Sequence, residues 1–116
     1  MEQTASPDPL SATFAALADP TRRAILARLA KGEANVGELA APFDISLPAI
    51  SRHLKVLESA DLIVREKDAQ RRVCRFNPEA LVRAGRWISI HKDLWEQSLD
   101  ALDDYLSRLK QDGGPE

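Results

Sequence analysis

Cysteine occurs once in this chain of 116 residues, at Cys74, so no disulfide can close within it. Histidine occurs only as His53 and His91, which fall on different predicted elements. No Ser/His/Asp set and no glycine-rich phosphate loop accompanies either, which leaves an enzyme without its working parts. No apolar run approaches the ~20 residues of a membrane span or the core of a signal peptide, so no membrane partner is expected and the expected compartment is the cytoplasm. An excess of positive charge is missing too: 16 Lys and Arg stand against 18 Asp and Glu, a formal net charge of −2. Taken as a total, that charge argues against nucleic acid as a partner.

The distribution says otherwise. Between 46 and 76 lie Arg52, Lys55, Arg65, Lys67, Arg71, Arg72 and Arg75 against Glu58, Asp61, Glu66 and Asp68, whereas 91–116 holds three bases against seven acids. A chain basic in one segment and acidic in another can orient itself on a polyanion. Hydrophobic content of 44% with 29% charged residues is ordinary for a single globular domain with a real core.

The stretch Ser46 to Leu57 organises the rest. Ile50, Leu54 and Leu57 fall at i, i+4 and i+7, one narrow stripe for a core. Ala49, Ser51, Arg52 and Lys55, small or cationic, share the other face and suit a DNA groove. Ser46 is a good N-cap, and Pro48 is tolerated in a first turn that has no use for its amide. Ahead of this stretch, 1–9 reads as a loose arm. A first helix spans about 10–18 with Leu10, Phe14 and Leu17 at helical spacing, and Asp19-Pro20 opens a second over about 20–31 that buries Ile25, Leu26 and Leu29 and stops at Gly32. Arg22, Arg23 and Arg28 point outward, either to solvent or to phosphates. Asn35 with Glu38 forms a capping box for a short third helix containing Val36 and Leu39, and Pro42 to Ile45 separates it tightly from the Ser46 helix. That pair is a helix-turn-helix. Leu62–Lys67 and Arg71–Phe76, joined by Asp68-Ala69-Gln70, read as a basic hairpin placed as a wing.

Asn77-Pro78 starts a long helix running to about Lys110, with Leu81, Ile88, Trp95, Leu102 and Leu109 recurring every seven residues. Trp87, Leu94 and Trp95 widen the stripe beyond what one small domain covers, so the chain is expected to form a homodimer through this helix with help from the first. The alternative is a terminal helix folded back on its own domain. Leu10, Phe14, Leu81, Ile88, Trp95, Leu99, Leu102 and Leu106 are the expected interface. Residues 111–116 read as a tail, leaving 10–110 as one domain, mainly α with a small β-hairpin, whose dimerisation helix covers about 78–110.

Leu17-Ala18-Asp19-Pro20-Thr21-Arg22-Arg23-Ala24-Ile25-Leu26, Glu38-Leu39-Ala40, the Ser46–Leu57 stretch and the hairpin ending Arg75-Phe76-Asn77-Pro78 together resemble the ArsR/SmtB family of bacterial repressors over about 10–110. The resemblance implies a dimeric winged helix that binds an operator palindrome and represses neighbouring genes until an effector loosens it. The family's metal sensors carry Cys-Val-Cys ahead of the recognition helix. Asn35 and Gly37 stand at those cysteine positions, and no metal or other cofactor is expected. His91 with Asp93, Asp103 and Asp104 does not match the spacing of the family's other zinc motifs, and His91 reads as a residue of the dimer seam. Leu47 stands where the family often has glutamine, and Asp44 where a turn glycine is common.

Double-stranded DNA is thus the expected partner, with the chain acting as a sequence-specific transcriptional regulator. The expected contacts are Ser46, Leu47, Pro48, Ala49, Ser51, Arg52, His53 and Lys55 on the helix and Lys67, Arg71 and Arg72 on the wing. His53, at the edge of the buried stripe, suits a phosphate contact or an internal hydrogen bond equally. Cys74 reads as a small core residue. The rival function is a protein-interaction dimer that keeps the fold without specific operator binding. The effector is not legible: a small molecule, a partner protein or protein concentration alone all fit. Trp87, Trp95 and Tyr105 are either dimer core or the lining of a pocket between subunits.

Overall fold

The computed structural model describes residues 8–68 and 70–112, so most of the predicted arm, Ala69 of the wing turn and the tail from 113 onward lie outside the described residues. Two compact units result, one ending at Ala84 and one beginning at Gly85. In the first unit, α1 (Pro9–Leu17), α2 (Pro20–Leu29), β1 (Ala34–Asn35), α3 (Val36–Ala40), α4 (Leu47–Ser59), β2 (Ile63–Asp68) and β3 (Arg71–Phe76) follow one another, before α5 (Glu79–Asp112), which continues into the second.

Local chemistry sets the helix starts. The Asp8 carboxylate accepts the amide of Ser11 at 2.9 Å and Pro9 begins α1, so the last two residues expected in the arm are instead the cap and first turn of a helix. Asp19 caps α2 by accepting the amide of Arg22 at 3.1 Å. These amides hold both carboxyls below the usual carboxylate range. Each cap therefore adds stability above the unfolded carboxylate pKa and loses it as pH falls through the lower folded value. The capping box of α3 is complete: Glu38 donates its amide to Asn35 Oδ1 and accepts the Asn35 amide at Oε1, both at 2.8 Å. Past α2, Gly32 takes a φ of +148°, a backbone open to glycine and strained for other residues.

The sheet has three antiparallel strands in the order β1-β3-β2, one more than the hairpin expected. Ala34 pairs with Cys74 and Asn35 with Val73. Two residues are too few to show a period-2 pattern, and Asn35 is at the same time the cap of α3, which hides the strand behind a helix signal. Within the hairpin, Ile63 faces Phe76 and Lys67 faces Arg72. The core gathers Ile25, Leu29, Leu39, Ile50, Leu54, Leu57, Leu62, Ile63 and Cys74, with Leu81 packed at its edge. On α1 the buried residues are Thr13 and Ala16, not Leu10, Phe14 and Leu17, which are half-buried. Small side chains on the inner face let α1 approach closely, and the Thr13 hydroxyl is satisfied by donating to the Pro9 carbonyl at 3.0 Å.

At the end of α4 the Leu62 amide reaches the Leu57 carbonyl (3.0 Å) and the Asp61 amide reaches that of Glu58 (3.0 Å), which is a Schellman closure. Its left-handed residue is Asp61, with φ of 60°. The turn is pinned further by Asn77, whose Nδ2 donates to the Asp61 carbonyl at 3.0 Å and whose amide donates to Leu62 at 2.9 Å. Because left-handed backbone strains a residue with a Cβ, Asp61→Gly should raise stability by about 0.5–1 kcal/mol, net of the freedom glycine gains when unfolded. A urea titration checks it through a higher midpoint at unchanged slope.

In the second unit, α5 presents Ile88, Leu94, Trp95, Leu99, Leu102, Leu106 and Leu109 as exposed apolar side chains. The Trp87 and His91 rings stack with centroids 4.1 Å apart, and Trp95 meets both edge-on. Lys92 and Glu96 pair at 2.9 Å. Among the described residues no helix is long and apolar enough to cross a membrane.

Candidate nucleic-acid interface

Helix α4 is fixed from within. The Ser46 hydroxyl oxygen accepts the amide of Ala49 at 3.2 Å, and Pro48 sits in the first turn. Ile50, Leu54 and Leu57 are fully buried, and that stripe sets the rotation of the helix about its axis. The rotation leaves Ser46, Leu47, Pro48, Ser51, Arg52 and Lys55 exposed, Ala49 half-buried and one continuous face toward solvent. Leu47, at 58% exposure, offers that face an apolar tip where a polar side chain would read a base edge.

Ion pairing sorts the wing's cations. Arg65 is held by Glu58 at 3.3 Å, and Arg75 by Glu66 at 2.7 Å and Glu33 at 3.1 Å. Lys67 and Arg72 are directly opposite one another in the ladder, like charges with no carboxylate partner among the described residues. Such a pair is unfavourable until an anion lies across it. Both line a recess of about 360 Å³ beside Ser51 of α4, which joins the helix face to the wing. Cys74 lies in the same recess, almost fully buried, and desolvation raises its thiol pKa, so it stays a protonated core side chain. Arg71 is exposed on the same strand.

The arginines of α2 are placed differently from the outward face expected, and His53 takes the internal hydrogen bond that was one of its two expected roles. Arg22 donates Nε to the Ala16 carbonyl at 2.7 Å and Nη2 to the Ala15 carbonyl at 3.0 Å, closing the open end of α1, and Nη1 lies 3.2 Å from His53 Nδ1. A guanidinium only donates, so His53 Nδ1 accepts, and the Asp19 carboxylate at 3.9 Å is outside hydrogen-bond reach. His53 thus joins an internal brace between α2 and α4. Arg23 donates to the Leu17 carbonyl at 2.7 Å and Arg28 to that of Gly32 at 3.0 Å. The signal for this was available only in part, as an arginine three residues after a capping aspartate within reach of the preceding helix end. Arg22→Leu should cost about 1.5–3 kcal/mol, the range for charge-assisted bonds lost to backbone carbonyls, with Arg22→Lys recovering little because ammonium lacks the planar fork. Urea unfolding of the two variants against wild type measures it.

His91 donates Nδ1–H to the Trp87 carbonyl at 2.9 Å. Among the described residues no three His, Cys, Asp or Glu side chains come together as a metal site.

Comparison with known proteins points the same way as the geometry. The helix-turn-helix domain family matches residues 17–66. The HTH-type transcriptional regulator Rv2034 of Mycobacterium tuberculosis is 41% identical over 98 residues, spanning 84% of this chain and 86% of the relative. The transcriptional repressor SdpR of Bacillus subtilis is 37% identical over 65% of this chain and 83% of its own length. A crystal structure of an ArsR family transcriptional regulator superposes with a TM-score of 0.72 at 40% identity, covering 81% of this chain and 97% of that one.

Proposed function

Because the chain belongs to the ArsR family of winged helix-turn-helix regulators, and is therefore a DNA-binding transcriptional regulator and not an enzyme, we propose that it acts in the cytoplasm as a dimeric repressor on an operator palindrome. The observation that carries this reading is the set Ser51, Arg52 and Lys55 on the exposed face of α4, without ion pairs among the described residues and continuous with Lys67 and Arg72 of the wing. The exposed stripe of α5, with Leu10 and Phe14 of α1, joins two protomers. Leu81 has a different place, since it packs against the core of its own unit. Dimerisation sets the two α4 helices about 34–36 Å apart, one turn of duplex, so that each enters a major groove on the same side.

Within each half-site Ser46, Ser51 and the start of α4 meet phosphates, Arg52 and Lys55 reach furthest toward bases, and Lys67, Arg71 and Arg72 hold the flanking backbone. Leu47, Pro48 and Ala49 contact apolar surface such as a thymine methyl. His53, its Nδ1 committed to Arg22, keeps α4 in position more than it touches DNA.

Mobility-shift titration with DNA from upstream of the protein's own gene, against unrelated DNA of equal length, tests the proposal. Equal affinity for both, or no shift at low salt, would leave the protein-interaction dimer as the better account. Arg52→Ala should cost about 1–3 kcal/mol and relax preference at one base position if the guanidinium is bidentate to guanine. A loss that is uniform over all base substitutions would make Arg52 a phosphate contact instead.

A further inference from the structure

Between α1 and α4 lies a groove of about 550 Å³, within the size range of small-molecule sites. Its floor is apolar, from Ala12 and Ala15 of α1, Val56 of α4 and Ala60, the residue that caps the end of α4, and its rim carries Arg52 and Lys55. Every residue that lines it belongs to the first unit. The gap has a cause in the sequence: α1 turns alanines toward α4, and Val56 keeps 40% of its surface exposed beside them. Among the described residues neither Arg52 nor Lys55 makes an ion pair or a side-chain hydrogen bond.

We propose that this groove binds a small organic anion with an apolar body, whose carboxylate or equivalent group is held by Arg52 and Lys55 while its chain lies on the alanine and valine floor. Charge decides between occupants. Two unpaired cations at the rim of an apolar slot favour an anion over a neutral or cationic amphiphile, since the apolar body gains from leaving water and the head group meets a ready counter-charge. A consequence that rests on the DNA reading is competition: a bound anion neutralises the same two side chains that face the duplex, so occupancy weakens operator binding without any change of fold. Only the differential affinity for free and DNA-bound protein is needed.

The full-length protein, labelled with ¹⁵N, would be titrated with decanoate below its micelle concentration and, separately, with decyltrimethylammonium. Saturable amide shifts are expected at Ala12, Ala15, Val56 and Ala60 for decanoate alone. Ala15→Trp and Ser59→Trp, which fill the groove from opposite walls, should each weaken decanoate binding by about tenfold or more, equivalent to about 1.4 kcal/mol. Both should keep the wild-type mass in solution and the wild-type affinity for DNA, and decanoate should displace DNA from the wild type but not from them. The inference is overturned by shifts confined to other residues, by equal binding of the cationic amphiphile, by unchanged decanoate affinity in both tryptophan variants, or by a change of oligomeric mass in them, which would make the groove a contact between copies. DNA affinity measured without decanoate keeps the two readings apart: failure there sinks the repressor, while absence of groove shifts sinks the anion site whatever the DNA does.

Discussion

Raising the salt concentration from about 50 to about 200 mM is expected to weaken operator binding by about 10³–10⁵-fold, the loss that accompanies six to ten neutralised phosphates. The figure follows from which cations are free. Of the seven Lys and Arg between 46 and 76, Arg65 and Arg75 are already held by glutamates. The arginines of α2 are committed to carbonyls. Among the described residues Arg52, Lys55, Lys67, Arg71 and Arg72 remain without a carboxylate partner, about ten in a dimer, and a slope of log Kobs against log salt of about −9 results from ~0.9 released counterion per contact. Lys67→Ala with Arg72→Ala should flatten that slope by about 3–4 and lower affinity for operator and unrelated DNA alike, because contacts to phosphate carry no sequence information. Arg75→Ala is the control and should leave the slope nearly unchanged. A wild-type slope shallower than about −3, or a wing variant that matches the wild type, would mean that the hairpin does not touch the duplex.

Sorting free cations from committed ones is what the sequence alone does not permit. The reading helix was legible because its stripe is local: Ile50, Leu54 and Leu57 follow the helical period, and all three are fully buried. So were the Asp19-Pro20 start and the Asn35–Glu38 box, whose partners lie three residues apart. Arg22 bonds to His53 across 31 residues, and no pattern in the chain announces such a pair. The same holds for β1, whose two residues acquire their identity only from pairing with β3. On α1 the larger side chains drew attention away from Thr13 and Ala16, although close helix packing selects small residues on the inner face. Asp61 lacked the glycine that usually marks a left-handed helix end, and the Schellman bonds around it show why α4 stops where it does.

Replacing Leu99 and Leu102 together with glutamate is expected to give a folded monomer whose operator affinity is lower by about 10²–10⁴-fold, the contribution of bivalent engagement. The two leucines are 63% and 51% exposed in the single chain, and neither belongs to the buried core of the first unit. Removing them therefore takes nothing from the fold of that unit. In a dimer, however, the stripe they share with Ile88, Trp95 and Leu106 leaves water, and each buried leucine contributes about 1.5–3 kcal/mol. Two carboxylates at the same positions have no cation to meet, because the charges nearest in sequence are Glu96, Asp100, Asp103 and Asp104. Light scattering coupled to gel filtration should then report one chain per particle, circular dichroism should retain the helical signal of the first unit, and the residual DNA binding should show half-site affinity with about half the salt slope. Asp100→Lys, on the opposite face of α5 by helical spacing, should leave the mass at two chains. A double glutamate variant that remains dimeric would place the contact between protomers elsewhere than on α5, and with it the spacing of the two reading helices.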